Sequence, residues 1–148
     1  YRGRMIGNLK VGTDGELAVA AKMAQLGYNI SFPMGGTPYD LIAEKEGVCV
    51  RVQVKAASFQ KKGSYRVNLS YGRLNKGFYN KSMCDVIVAY VPYSRDYEGI
   101  HEDGFYVITV KEIQRLKKFH ATLFPAGMGR GQIRTCRWEQ YRDAWATI

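Results

Sequence analysis

Three residues stand at a spacing that could do chemistry: Asp40, Gln53 and Lys55. Asp40 closes the run Pro38-Tyr39-Asp40, and thirteen positions later (53 − 40) comes Gln53-Val54-Lys55. That gap spans one hairpin, so a carboxylate entering one strand would sit beside an acceptor and an ammonium on the next. The chemistry open to such a set is phosphodiester hydrolysis. It needs a divalent cation to offset developing negative charge and an activated water held in line. Asp40 would bind the cation, since a hard ion such as Mg²⁺ takes oxygen ligands. Lys55 would orient the water or stabilise the phosphate charge. Gln53 offers an amide oxygen without charge. Glu16 would supply a further carboxylate from the first predicted helix. Glu44, which shares strand parity with Asp40, competes for that part from two residue pairs further away.

Each residue also has an ordinary structural reading. Asp40 alone is a turn aspartate, Lys55 a surface lysine on a half-exposed strand, and Glu16 the partner of Thr13 in a capping box. The joint pattern carries the argument: one hairpin gap, an alternating valine strand and a preceding helix with a glutamate.

The elements that must position these groups follow from periodicity. Thr13 to Gly27 reads as a helix, with Leu17, Ala20, Ala21 and Ala24 at helical spacing and Gly27 as its stop. Tyr28 to Phe32 is a short strand and 33–38 a loop. Asp40 to Lys45 and Val48 to Ala56 are strands joined by a Glu46-Gly47 turn. In the second, Val48, Val50, Val52 and Val54 alternate with Cys49, Arg51, Gln53 and Lys55, so Gln53 and Lys55 emerge on one face. A basic turn at 59–63 precedes a fourth strand, Tyr65 to Tyr71. A loop at 72–82, strands at 85–91 and 105–110, and a helix from Lys111 to His120 come next. A last helix is expected from Arg137 to Ile148. The order predicts an α/β fold with a central mixed sheet in a single domain, 1–148, whose 111–148 part is a helical region.

Composition bounds the function. The chain has 148 residues, 46% of them hydrophobic, and 22 Lys and Arg against 13 Asp and Glu, a net charge of +9. A basic protein of this kind has a polyphosphate as its expected partner. No apolar run is long enough to span a membrane. Met5 reads as the natural start, without a signal segment. Three cysteines without a CxxC argue against a disulfide framework and a zinc site and suit a reducing, cytoplasmic setting. His101 and His120 have no ligand cluster. Gly127 to Gly131 lacks the P-loop lysine, so no nucleotide cofactor is expected.

Gly15-Glu16, Leu26-Gly27-Tyr28, Pro38-Tyr39-Asp40-Leu41 and Val52-Gln53-Val54-Lys55 together resemble the PD-(D/E)XK nuclease superfamily. More narrowly they resemble its bacterial group I intron-encoded homing endonuclease branch, which carries glutamine where the wider superfamily has an acid. The likeness covers roughly residues 11 to 56. It implies a restriction-endonuclease-like αβββαβ core, Mg²⁺-dependent cleavage of double-stranded DNA with Mn²⁺ as a substitute, and recognition of a long insertion site. It implies that Asp40, Glu16 and Gln53 bind the metal and that Lys55 is the catalytic lysine. A Holliday-junction resolvase or a restriction-type nuclease shares this core. A non-catalytic DNA-binding module is the non-enzyme alternative, raised by the uncharged Gln53.

One such site cuts one strand, so a homodimer or a dimer of dimers is expected on duplex DNA. Gln60, Lys61 and Lys62 on a turn, with Arg66, Asn68 and Ser70 along the next strand face, are the candidate base readers. Arg73, Lys76 and Lys81 are candidate phosphate contacts. Trp138, Tyr141 and Trp145 recur as a stripe expected to pack inside the protein or at a subunit interface.

Overall fold

The computed structural model describes residues 2–61, 63–93, 102–125 and 138–148, with side chains from Asp14 onward. Lys62, His101, the run Gly127 to Gly131, Cys136 and Arg137 lie outside the described residues.

The fold opens with a long helix, α1 (Arg2–Gln25). No proline interrupts it, so nothing local stops propagation. Thr13 therefore lies inside α1, which corrects the expected capping box. In a continuous helix the N–H groups of that turn find carbonyls one turn back. The end is as expected: Gly27 has φ +93°, its N–H donates to the Ala24 carbonyl at 3.0 Å, and Tyr28 N–H reaches the Met23 carbonyl at 3.1 Å.

The packed face of α1 is rotated from the expected one. Val19, Ala20 and Met23 are buried, whereas Leu17, Ala21 and Ala24 are exposed. Gly15 gives the reason. Its backbone lies so close to the sheet that an added Cβ would stand 3.2 Å from Tyr90 Cδ1 and 3.7 Å from Val54 Cγ1. Gly15→Ala is expected to be near neutral, because a helix-propensity gain of about 1 kcal/mol offsets a contact the Tyr90 ring can relax. Gly15→Val pushes branched atoms into Val54 and Tyr90 and is expected to cost about 1–3 kcal/mol, read as a fall of several degrees in Tm.

The strands are β1 (Asn29–Ser31), β2 (Leu41–Lys45), β3 (Val48–Ala56), β4 (Ser58–Phe59), β5 (Tyr65–Asn68), β6 (Ser70–Tyr71), β7 (Gly77–Phe78), β8 (Val86–Val91), β9 (Gly104–Thr109) and β10 (His120–Leu123), with helix α2 (Val110–Leu116) after β9. A five-stranded sheet runs β1-β2-β3-β8-β9 and is mixed, since β3 and β8 pair in parallel and the other neighbours are antiparallel. Glu46 and Gly47 turn β2 into β3, both with positive φ (53° and 80°), the sense that matches strand twist.

Parallel pairing requires a crossover. Residues 57–85 make it with short strands and, among the described residues, no helix: β4 and β5 join β10 in a three-stranded sheet, and β6 pairs with β7 as a ribbon. Two expectations change here. The strand expected at Tyr65 to Tyr71 ends at Asn68: the Leu69 N–H still reaches the Phe119 carbonyl at 2.8 Å in register with β10, but the Ser70 N–H is taken by Asn68 Oδ1 at 2.9 Å, and Ser70 and Tyr71 pair with β7. The loop expected at 72–82 contains β7.

Apolar residues pack on both faces of the main sheet. Val52, Val54, Val86 and Val88 meet Val19 and Met23 of α1 on one side. On the other, Ile87, Ala89, Tyr106 and Ile108 meet Val67, Leu69, Tyr79 and Cys84. The C-terminal region departs from the expected helices. Thr109 caps α2, but Lys117 at φ 53° ends it, so His120 opens β10 instead of closing a helix. In place of a helix to Ile148 stand a 3-10 turn at 138–141 and another at Trp145–Thr147, separated by Asp143 at φ 49°. Trp138 and Tyr141 are buried, and the Trp145 ring lies 5.8 Å from that of Phe105, so the stripe packs internally. Among the described residues, no helix is long and apolar enough to cross a membrane.

Candidate active site

Pairing of β2 with β3 ends at Leu41, opposite Val52. Just beyond, the Val54 N–H is taken by a side chain: Asp40 Oδ2 accepts it at 2.8 Å, while the Asp40 N–H donates to the Val52 carbonyl at 2.8 Å. The strand end thus fixes the carboxylate from two directions. Val52 and Val54 turn under α1, so Gln53 and Lys55 emerge on the opposite face, as the alternation required. The Gln53 amide nitrogen donates to the Val54 carbonyl at 3.2 Å, which leaves its oxygen as the end open to a ligand. Lys55 Nζ donates to the Ser70 carbonyl at 3.4 Å and lies 5.1 Å from the centre of the Tyr79 ring.

The charges of the site feel one another. Burial raises the Asp40 carboxyl above its ordinary 3.8, against the opposing pull of the Val54 N–H and of Lys55. Glu16, half-buried on α1, is raised by burial and then by the negative charge of Asp40. Burial lowers the Lys55 ammonium, and Asp40 opposes that shift. Burial also pushes the Cys84 thiol and the Tyr79 phenol up to about 12. Both are therefore uncharged at neutral pH, and Asp40 is the counter-charge of these that acts on Lys55. Glu16 and Asp40 repel each other in a partly dry setting, which is the condition a bound cation relieves.

Among the described residues, no three His, Cys, Asp or Glu come together as a metal cluster. The available donors are two carboxylates and the Gln53 amide, an all-oxygen set that fits a hard divalent cation. Glu44 is used elsewhere: it accepts from Asn29 Nδ2 at 3.0 Å and from the Gly47 N–H at 2.8 Å, so it fastens the hairpin turn.

Of the expected DNA contacts, Gln60, Lys61, Arg66, Asn68, Arg73, Lys76 and Lys81 are exposed. Ser70 is not, which corrects its place on that face. It is 1% exposed, and its hydroxyl and N–H both donate to Asn68 Oδ1, at 2.6 and 2.9 Å. That turn, in which Asn68 captures the Ser70 N–H, slips the in-and-out alternation by one after Leu69 and turns Ser70 inward.

Sequence reasoning missed Ser70, Tyr79 and Cys84 as the surroundings of Lys55, all of which come from the crossover. It also missed a clamp. Asp85 Oδ2 accepts from the Arg51 N–H at 2.8 Å and from Arg51 Nε at 3.1 Å, and Arg51 Nη2 reaches the Lys81 carbonyl at 2.6 Å. The fork fastens the end of the crossover to β3, two residues before Gln53. An aspartate directly before an apolar strand, facing an arginine on another strand, was the available signal.

The profile of the PD-(D/E)XK endonuclease family matches residues 8–141. No curated protein sequence matches the chain significantly. Among solved structures, a bacterial homing endonuclease, I-Ssp6803I, superposes with a TM-score of 0.70 and 28% sequence identity, covering 93% of this chain and 89% of that one. The α/β layout with its mixed sheet is accordingly restriction-endonuclease-like, as the sequence implied. The match runs from α1 through the hairpin and the crossover to Tyr141, and the chain belongs to the PD-(D/E)XK endonuclease family.

Proposed function

We propose that this nuclease is a Mg²⁺-dependent endonuclease that cuts double-stranded DNA at a specific site, of the homing type, with Mn²⁺ as a substitute. The observation that carries the reading is Asp40, held by Val54 at the mouth of the hairpin and electrostatically coupled to both Glu16 and Lys55. In this reading Asp40 and Glu16 hold the cation and the Gln53 oxygen assists. When bound, the ion offsets charge on the phosphate and lowers the pKa of a coordinated water. Lys55, seated against the Ser70 carbonyl and the Tyr79 ring, directs its ammonium at the attacking water and a phosphoryl oxygen. Two copies related by a two-fold axis, as a homodimer or within a dimer of dimers, would cut both strands. Exposed Gln60, Lys61, Arg66 and Asn68 would read bases, and Arg73, Lys76 and Lys81 would hold phosphates.

The deciding experiment incubates the protein with a plasmid library and Mg²⁺ and maps the ends by sequencing. Cuts at one recurrent site support the homing reading. Preference for four-way junctions over linear duplex points to a resolvase, and steeply salt-dependent binding without cuts points to a non-catalytic module.

Affinity for the cation should also depend on pH. Because the Asp40 and Glu16 carboxyls are raised, protons compete with the metal above the usual carboxylate range. Mn²⁺ affinity, followed by calorimetry, is expected to begin falling at a pH above the ordinary carboxylate range as pH is lowered, with proton uptake on release. A flat profile would remove the paired-carboxylate site.

A further inference from the structure

The most exposed large apolar side chains among the described residues are Met34, at 108%, and Leu74, at 97%. Both sit on loops that border the candidate site. Met34 lies in the segment that leads into Asp40. Leu74 lies at the tip of the β6–β7 ribbon, whose first residue, Ser70, touches Lys55. A single exposed leucine is ordinary by itself. The frame around this one is not.

The root of the ribbon is fixed. The Tyr71 and Tyr79 rings meet edge-on at 5.6 Å, Phe78 stacks on Phe119 at 4.7 Å, and Lys117 Nζ stands 5.0 Å from the centre of the Phe78 ring. The turn is fixed as well. Gly72 has φ +84°, and a Cβ there would stand 2.8 Å from the Asn75 carbonyl oxygen, so only glycine fits. Turn tips favour small polar residues, yet this one holds Leu74 out in water between exposed Arg73 and Lys76. An apolar protein partner would call for a contiguous apolar patch. One apolar side chain between two cations matches a polyanion with an apolar interior, which is the stacked bases of a duplex inside its phosphates. Leu74 comes four positions after Ser70, so its backbone lies within about 14 Å of the carbonyl that holds Lys55. That is about four base-pair steps along a duplex.

We infer that the β6–β7 ribbon is a DNA wedge: Leu74 enters a groove and parts a base step beside the cut, with Arg73 and Lys76 on the flanking phosphates. The inference rests on the DNA-binding reading above. Unstacking is easiest at flexible pyrimidine–purine steps, which any plasmid contains.

The test needs no known target and no cleavage. Relaxed plasmid is incubated with the protein in EDTA and a metal-independent topoisomerase, and the topoisomers are resolved after the protein is removed. A wedge unwinds the duplex, so the distribution is expected to shift toward negative supercoils in proportion to bound protein. Leu74→Ala, at a site too exposed to affect folding, is expected to reduce the shift about fivefold, and Leu74→Phe to retain it. Binding of Leu74→Ala to the same plasmid should stay within about twofold, since the phosphate contacts remain. An unchanged shift in Leu74→Ala overturns the wedge, as does binding by the natural protein with no shift at all. Loss of binding in the same proportion as the shift makes Leu74 an ordinary contact and also overturns it. Absence of salt-dependent binding by the natural protein would sink the DNA reading itself, which keeps the two failures distinguishable.

Discussion

Asp40→Asn is expected to abolish cleavage and, in the absence of a divalent cation, to raise the melting temperature. Both effects follow from one carboxylate. Asparagine keeps an oxygen that can accept the Val54 N–H now bonded at 2.8 Å, so the hairpin mouth stays closed. What disappears is the charge. Without it the cation has lost a principal ligand, and cleavage should fall by about 10³-fold or more.

The stability effect has the opposite sign. Asp40 is raised above its ordinary 3.8, so its contribution is favourable below the unfolded-state value and is lost as pH rises through the folded-state value. At neutral pH the ionised group therefore costs stability. Removing the charge should recover stability, read as a rise in Tm. The advantage should shrink as pH falls through the raised carboxyl, because a protonated acid is as neutral as the amide. Saturating Mg²⁺ should reverse the order, stabilising the natural protein and not the variant. Thermal denaturation with and without Mg²⁺, at several pH values, measures all of this. A variant that cleaves normally, or that responds equally to Mg²⁺, would remove Asp40 from the site.

Lys55→Ala is expected to lose cleavage by about 10²- to 10⁴-fold while binding DNA within about twofold of the natural protein. The ammonium is half-buried against the Ser70 carbonyl and the Tyr79 ring, where burial lowers its pKa. Such a group adds little to long-range attraction, which comes from the exposed cations, and much to a charge developing within reach. Lys55→Arg should not restore activity, because a planar fork cannot replace a compact ammonium in that seat. Binding is read with Ca²⁺ in place of Mg²⁺ at fixed salt, and cleavage under single turnover. Lys55→Met should lose cleavage equally and melt higher, since a depressed ammonium costs stability at neutral pH. Full activity in any of these variants would end the role assigned to Lys55.

The hairpin was legible because its signals are local. Period-2 alternation from Val48 to Val54 fixes which side chains share a face, and Glu46-Gly47 supplies the positive φ its turn needs. Gly27 stops a helix wherever it stands after one. The start of α1 was less legible, since Thr13 and Glu16 make a plausible cap that only a longer helix overrides. The rotation of α1 could not be read, because Gly15 looks like a helix weakness until Tyr90 is known to lie against it. Ser70 misled for the same kind of reason: the Asn68 side chain captures its N–H and it pairs with Phe78 of β7, and period-2 alternation does not show that change of partner.

By itself, then, the order of residues determined the chemistry on offer: a carboxylate, an amide and an ammonium one hairpin apart, in a basic α/β chain. Alternation and turn residues act within a few positions, so they are written in the chain. Only the tertiary structure decided what surrounds those groups. The seat of Lys55 is made by Ser70 and Tyr79 from the crossover, and Asp40 at the hairpin sets a field on Glu16 of α1. Burial and Coulomb coupling depend on separation in space, which periodicity does not encode.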